Sequence, residues 1–310
     1  MENSKDGSIR KALISLQNGD PMTAKSIICA AMVIHLGDSR LVTIEAYCCF
    51  WCDSFEQCSA IANPYEKGEH LLVDWKDFID YLKNHDTPDE ETVNAIQRGV
   101  FSIALECFEK TLESAKASYK AEILRKIGIC YKKIGDYEKA MNCLIDSNKH
   151  KPFQAEILAE LADCYALCGN DKNAKALFRE AFYLDSKKVE LFFLDSELIR
   201  SLIAATEKKG YKGEELKAWI PVYGVIYGVF DIKREMEAKD ISKLRQDIYA
   251  LEVKSKNPSN DTQTFVPILI YKYFWLIDYC QMYNDNTDLI EQTLLKIKIL
   301  DLSVYNLYKC

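Results

Sequence analysis

The sequence predicts an all-α protein built from consecutive pairs of helices. The 310 residues include only 12 glycines and 7 prolines, which is too few for the many tight turns of a β-sandwich or a β-barrel. Two adjacent segments of equal length, 121–154 and 155–188, also share one residue pattern, as repeat proteins do. With 48% hydrophobic and 28% charged residues, the chain can bury a large core and stay soluble.

The two segments agree position by position over a period of 34 residues. Such a period accommodates two helices of about 13 residues and two short turns. We expect Gly128 to be small because the second helix crosses the first one there, and Tyr131 to fill the gap between them. Gly135 ends the first helix, since glycine readily adopts the left-handed conformation. The equivalent positions of the second copy are Ala162, Tyr165 and Gly169.

This pattern resembles the tetratricopeptide repeat (TPR) family. The resemblance covers residues 121–188 and rests on Gly128, Tyr131, Gly135, Tyr137, Ala140 and Pro152. It departs at Leu124, where the family often has Trp, and at Ser186, where it often has Pro. The resemblance implies a right-handed α-α superhelix, a TPR-like solenoid in which the first helices line a concave groove for peptide segments or protein partners.

Weaker relatives of the turn at Gly135 begin upstream at Gly19, Asp53 and Gly99. From Gly19 to Gly169 the successive turns are 34, 46, 36 and 34 residues apart, so the sequence predicts five helix pairs. The longer spacing implies an insertion near 63–86, where Pro64 and Gly68 interrupt the pattern.

We therefore divide the chain into three segments. Residues 1–86 are degenerate TPR-like pairs with the insertion, residues 87–188 are the clearer repeats, and residues 189–310 are a C-terminal helical extension that caps the array. Within that extension we expect helices at 189–208, at 214–256 with a break at Pro221, at 265–283 and at 288–300, and a loop at 257–262.

The cysteines and histidines do not form a recognisable site. The cluster Cys48, Cys49, Cys52 and Cys58 lacks the two Cys-x2-Cys pairs of a zinc site, and its phase in the repeat matches buried positions. We expect structural cysteines there and at Cys130, Cys143, Cys164 and Cys168. The four histidines are expected at exposed helix ends, and no nucleophile, phosphate-binding loop or cofactor fingerprint occurs. The sequence predicts no enzymatic activity, cofactor or metal.

The predicted function is a protein–protein interaction scaffold. The family's groove positions correspond to Arg125, Lys126, Ile129, Lys132 and Lys133 in one repeat and include Glu160 and Asp163 in the next. We expect Lys132 and Lys133 to be solvated, so that reversing both charges weakens partner binding without unfolding the protein. The acidic pair makes capture of a C-terminal carboxylate doubtful.

Three aromatic residues, Tyr47, Phe50 and Trp51, map to the same groove surface. One interpretation is that the inserted segment 65–81 folds back over them, because Leu71, Leu72, Trp75 and Phe78 form an apolar stripe at helical spacing. The other is that they receive an apolar segment of a partner. The first interpretation is favoured.

The net charge and the hydropathy of the chain bear on the alternative functions and on the expected location. The net charge of −7 gives no general attraction for nucleic acid, although a nucleic-acid-associated regulator stays a candidate, as does an enzyme with its site in 189–310. The longest apolar runs, 219–230 and 265–277, are too short to span a bilayer, and no export signal is present. We expect a cytoplasmic protein with reduced thiols, a protein or peptide partner and possible self-association through the C-terminal helices.

Overall fold

The computed structural model describes residues 4–84, 88–255, 262–283 and 287–309. These ranges contain fifteen α-helices and no strand, so the all-α prediction is confirmed. The helices are α1 (Lys5–Gln17), α2 (Pro21–Ile34), α3 (Ser39–Ser59), α4 (Pro64–Lys83), α5 (Glu90–Ser114), α6 (Ala117–Ile134), α7 (Tyr137–His150), α8 (Ala155–Leu167), α9 (Asp171–Asp185), α10 (Glu197–Glu207), α11 (Gly213–Ile226), α12 (Ala238–Ser255), α13 (Thr262–Met282), α14 (Thr287–Leu300) and α15 (Leu302–Lys309). Within these ranges, no helix combines the length and the apolar character needed to cross a membrane.

The chain divides into two compact units, Met1–His150 and Lys151–Cys310. The first contains α1–α7 and the second contains α8–α15. The boundary falls just before the second of the two strongest repeats begins. The predicted segments 1–86, 87–188 and 189–310 follow sequence similarity and are a different division of the chain.

The repeat at 121–154 forms the helix pair α6 and α7 as predicted. Gly135 ends α6 in the left-handed conformation with φ of 96°. A Cβ atom added at Gly128 would lie 2.7 Å from Cγ of Leu144 on α7, so the small residue is needed where the second helix crosses. The Ser147 hydroxyl of α7 donates a hydrogen bond of 2.6 Å to the carbonyl oxygen of Ala121.

The repeat at 155–188 forms the equivalent pair α8 and α9 in the second unit. Gly169 stands in the turn with φ of 77°. Ala162 and Ala174, which match Gly128 and Ala140 of the preceding copy, are both buried. The predicted turn and its small packing residues are confirmed here too.

Two of the three predicted upstream turns are wrong. Gly19 does separate α1 from α2, with φ of 72°. Asp53 lies inside the continuous helix α3, and Gly99 lies inside α5. A Cβ atom at Gly99 would overlap the carbonyl oxygen of Leu16 at the end of α1 and lie 2.9 Å from the amide nitrogen of Gly19. Gly99 therefore permits a close approach of two backbones and does not form a turn.

The insertion predicted near 63–86 is a single helix, α4. Asn63 caps it by accepting a hydrogen bond from the N–H of Tyr65, and Pro64 occupies the first turn, where a missing N–H has no cost. Gly68 lies within the helix, and a Cβ atom there would lie 2.7 Å from the ring of Phe108 on α5. Both residues that interrupt the repeat thus serve this extra helix.

The C-terminal helices partly match the prediction. The expected helix at 189–208 is shorter, since a 3-10 turn at Leu191–Phe193 precedes α10. The break expected at Pro221 is wrong, because α11 continues through it to Ile226. The helices α13 and α14 are confirmed, whereas α15 was missed; most of the predicted loop at 257–262 lies outside the described residues.

Gly224 on α11 and Gly228 just after the helix together position the ring of Phe230. The N–H of Phe230 donates to the carbonyl oxygen of Gly224 over 2.8 Å, and Gly228 has φ of 69°. A Cβ atom at Gly224 would overlap the Phe230 ring. The chain therefore turns at Gly228 and folds the ring back onto α11, where it joins the buried core of the second unit.

Candidate functional site

The basic residues predicted to line a groove are buried on α6. Lys132 is 2% exposed and Lys133 is 8% exposed, so the prediction that both are solvated is wrong. Ile129 is fully buried and Arg125 nearly so. The physical reason is that α6 packs between α5 and α7, which leaves few of its positions open to water. Whether a partner reaches these residues stays a prediction.

Carboxylates within the first unit compensate two of these cations. Nζ of Lys126 lies 3.0 Å from Oε1 of Glu69 on α4. Nη2 of Arg125 donates to Oε1 of Glu122, one turn earlier on α6, over 2.7 Å. A buried charge requires such partners because its removal from water is costly. These pairs are structural interactions of the folded unit.

The acidic residues predicted for the same groove lie on α8 in the second unit. Asp163 is fully buried, and Glu160 is 1% exposed. The Asp163 carboxylate accepts hydrogen bonds of 2.8 Å from the backbone N–H groups of Asp195 and Ser196. These N–H groups stand at the start of α10, whose N-cap makes no side-chain hydrogen bond of its own. Asp163 therefore caps a helix from a distance of 32 residues along the chain.

The aromatic residues Tyr47 and Trp51 are covered by α4, which confirms the favoured interpretation. The ring centroid of Phe78 lies 5.3 Å from that of Tyr47 and 5.5 Å from that of Trp51. Phe78 also lies 5.2 Å from Phe50, and Trp75 lies 6.3 Å from Trp51. Edge-to-face and tilted pairs of this kind stabilise a core. The inserted helix thus covers Tyr47 and Trp51.

Burial governs the chemistry of most cysteines. Cys48, Cys58, Cys130 and Cys164 are buried, and Cys49, Cys52 and Cys143 are half-buried. Burial raises the pKa of Cys48 to about 12 and that of Cys143 to about 11, so both thiols stay protonated and unreactive. Cys168 departs from the prediction, because it follows the end of α8 and is exposed. The described residues contain no group of three or more metal ligands.

One histidine lies in a polar cluster inside the first unit. His70 is in the middle of α4, so the prediction of a helix-end position is wrong for it. Nδ1 of His70 lies 2.8 Å from a carboxylate oxygen of Asp74, and the Ser54 hydroxyl donates to the same carboxylate. The aspartate stands between the other two, whereas nucleophilic catalysis requires the imidazole to contact the hydroxyl. The sequence of contacts, His70 to Asp74 to Ser54, is therefore that of a structural hydrogen-bond network.

Five exposed apolar residues of the first unit lie on α2, in the turn after it and at the start of α3. We call this the α2 surface, and it consists of Met22, Val33, Ile34, Leu36 and Val42. Leu36 is 87% exposed and Val33 is 75% exposed. The adjoining pocket has a volume of about 290 Å³ and is lined by Met32, Val33, His35, Leu36, Gly37, Asp38 and Val42. The sequence pattern does not predict the α2 surface or this pocket.

The local sequence explains why this surface is apolar. Asp20 caps α2, which then buries Ala24, Ile28 and Ala31 against its neighbours. The opposite face carries further apolar residues, and Lys25 is the one charged residue of the helix. Gly37, with φ of 77°, turns the chain so that Leu36 projects at the tip. The outer face of a surface helix is usually polar, so the apolar residues on the outer face of α2 are the sequence signal of this surface.

Two charged residues after α2, Asp38 and Arg40, form ion pairs. Nζ of Lys5 on α1 contacts the carboxylate of Asp38. Arg40 at the start of α3 binds Asp89 over 2.6 Å and Glu91 over 2.7 Å. These pairs neutralise the charges of Asp38 and Arg40, which lie close to Leu36 and Val42 in the sequence.

Neither a protein-family model nor a curated protein matches this sequence.

Proposed function

We propose that this protein is a non-enzymatic scaffold of the TPR-like type that binds a partner protein through the α2 surface. The observation that carries the proposal is the exposure of five large apolar side chains on α2, the turn after it and the start of α3. Three of them, Val33, Leu36 and Val42, line the same pocket. Contiguous apolar patches on water-exposed surfaces usually mark binding sites.

The energetics favour burial of this surface by another molecule. Full burial of one Val, Leu, Ile or Met side chain contributes about 1.5–3 kcal/mol. The five residues together therefore offer several kcal/mol, of which part offsets the entropy lost on association. Because the neighbouring charges are paired, we expect the partner to contribute an apolar surface and few charges.

The position of the α2 surface differs from the groove inferred from the family resemblance. The groove residues of α6 and α8 are buried, and α4 covers the aromatic ones, whereas Val33 and Leu36 need no rearrangement to meet a partner. The described cysteines form no disulfide, and eleven are free thiols. This supports our further proposal that the protein acts in a reducing compartment such as the cytoplasm.

A quantitative affinity purification tests the proposed function. Tagged parent protein and the double variant Val33→Glu/Leu36→Glu are purified in parallel from the native cells, and the co-purifying proteins are compared by mass spectrometry. Both substituted side chains are exposed, so the fold should be retained, which circular dichroism and the thermal midpoint check. Ile299→Glu makes the same chemical change at an exposed residue of α14.

We expect one or more proteins to be recovered with the parent and with Ile299→Glu, and to fall at least tenfold with the double variant. Identical partners in all three samples would overturn the proposal. Loss with Ile299→Glu alone would assign partner binding to the C-terminal helices instead.

A further inference from the structure

A second surface of the first unit combines an apolar floor with basic walls. It is a groove of about 550 Å³ where the end of α5, the start of α6 and the end of α7 meet. We call it the basic groove, and it is lined by Leu112, Lys120, Leu124, Asp146, Lys149 and His150. The proposed function uses none of these residues.

The apolar floor consists of Leu112 and Leu124. Leu112 lies on the last turns of α5, and Leu124 lies on α6. Both are only partly buried, so an apolar side chain from another molecule can cover them. Burial of one such side chain is worth about 1.5–3 kcal/mol.

Ion pairs compensate only part of the positive charge at the basic groove. Lys149 forms an ion pair of 2.8 Å with Asp146. Lys120 lines the groove, and Lys116, the N-cap residue of α6, lies four positions before it, outside the lining. Neither lysine forms an ion pair with any of the residues that the structure describes. His150, the last residue of α7, is exposed. The groove therefore has a positive balance in a chain whose net charge is −7.

The helix α6 increases this positive potential. Its first turn contains no acidic residue, and the side chain of Lys116 makes no capping hydrogen bond. The N-terminal end of a helix has a partial positive charge, so lysines there are unfavourably placed until an anion approaches. An acidic ligand would relieve this repulsion between the lysines and the helix end, which favours its binding.

We propose that the basic groove binds an acidic segment of a partner protein. One apolar side chain of the segment covers Leu112 and Leu124, and its carboxylates lie against Lys116, Lys120 and His150. A protein segment is favoured over nucleic acid because the floor of the groove is apolar and accommodates an apolar side chain. This proposal is independent of the α2 surface.

Fluorescence anisotropy with a defined probe tests this inference. The probe is a fluorescein-labelled peptide Glu-Glu-Leu-Glu-Glu-Leu-Glu-Glu, and the protein is the full chain. The test variant is Lys116→Glu/Lys120→Glu. Acidic residues at the start of α6 complement the helix dipole, so this variant should fold at least as well as the parent. The control is Lys239→Glu, the same change at an exposed lysine on α12 of the second unit.

We expect saturable binding to the parent and to Lys239→Glu, and at least tenfold weaker binding to the test variant. A peptide with Ser in place of both Leu residues should bind several-fold more weakly, and added salt should weaken all binding. The double variant Val33→Glu/Leu36→Glu should bind the probe like the parent, which separates this inference from the proposed function.

Three results would overturn the inference. They are the absence of saturable peptide binding, equal binding by the parent and the test variant, and tighter binding of a single-stranded oligonucleotide that the test variant loses. The last result would identify a phosphate-binding surface.

Discussion

The carboxylate of Asp163 on α8 accepts a hydrogen bond of 2.8 Å from the backbone N–H of Ser196, the N-cap residue of α10. A second bond of 2.8 Å comes from the N–H of Asp195. A residue predicted to contact a partner therefore links two helices of the second unit. Its buried carboxylate stabilises the fold, whereas the two proposed binding surfaces consist of exposed or partly exposed residues.

Replacement of Asp163 by Ala should destabilise the protein strongly. Hydrogen bonds to a charged group contribute about 1.5–3 kcal/mol, and loss of the acceptor leaves two N–H groups without it. Urea denaturation followed by circular dichroism measures the change in the free energy of unfolding. Asp163→Asn keeps one acceptor oxygen and should lose less. Equal stability of Asp163→Ala and the parent would contradict the assigned capping role.

Gly99→Ala should cost more stability than Gly128→Ala. The added methyl group at position 99 meets the backbone of Leu16 and Gly19, which cannot move without shifting α1. At position 128 the nearest atoms belong to the side chain of Leu144, which can adjust. Overpacking costs about 1–3 kcal/mol of stability. We expect the loss caused by Gly99→Ala to lie at or above the upper end of this range. The two thermal midpoints provide the measurement, and the reverse order would contradict the close approach of α1 and α5.

Loss of Arg179 should destabilise the second unit. Its side chain is buried, forms an ion pair with Asp278 on α13, and donates to the carbonyl oxygen of Ile232 over 2.9 Å. Its guanidinium carbon also lies 4.8 Å from the centre of the Trp275 ring. Removal of one partner from a buried pair costs about 3–5 kcal/mol, so Arg179→Met should lower the urea midpoint clearly.

Arg179→Lys is the matched variant for that prediction. It retains the positive charge but not the planar group that reaches several partners at once. We expect it to recover only part of the lost stability. Full recovery would mean that charge alone accounts for the contribution of Arg179.

Acid should weaken the contact between α3 and α5 through Asp89. Burial is the largest single influence on the Asp89 carboxyl and tends to raise its pKa. Hydrogen bonds from Arg40 and Thr92 together outweigh burial, and the pKa lies below its usual value. Because the folded-state pKa is lowered, this stabilisation is present above the unfolded value of about 3.9 and is lost as the pH falls below it.

Asp89→Asn should therefore be less stable than the parent at pH 7, and the difference should shrink as the pH falls toward 3. Thermal midpoints across this range measure it. A difference that stays constant with pH would contradict the role given to the Asp89 charge.

The sequence was sufficient where the relevant contact is local. Gly135 and Gly169 were identifiable as turns because the left-handed conformation at a helix end favours glycine within a few residues of chain. Gly99 was misread because a glycine also permits close approach, and its neighbour Leu16 is far away in sequence. A short motif cannot distinguish these two uses.

The candidate sites were harder to predict for a related reason. Lys132 and Lys133 are charged, yet the packing of α6 buries them, because burial depends on every helix that surrounds a position. Hydrophobic periodicity predicts which face of a helix packs against the core. It does not show whether a neighbouring element covers a second apolar face, and the exposure of Leu36 is therefore not predicted. Both errors concern which surfaces remain open after folding.

Site-specific photocross-linking from position 36 tests the α2 surface most directly. A photoreactive amino acid replaces Leu36 in the full chain expressed in its native cells, and in a control it replaces Glu138, an exposed residue of α7. The account predicts a discrete product with one partner protein from position 36, absent from the control and competed by untagged parent protein. No product from position 36, or the same products from both positions, would contradict it.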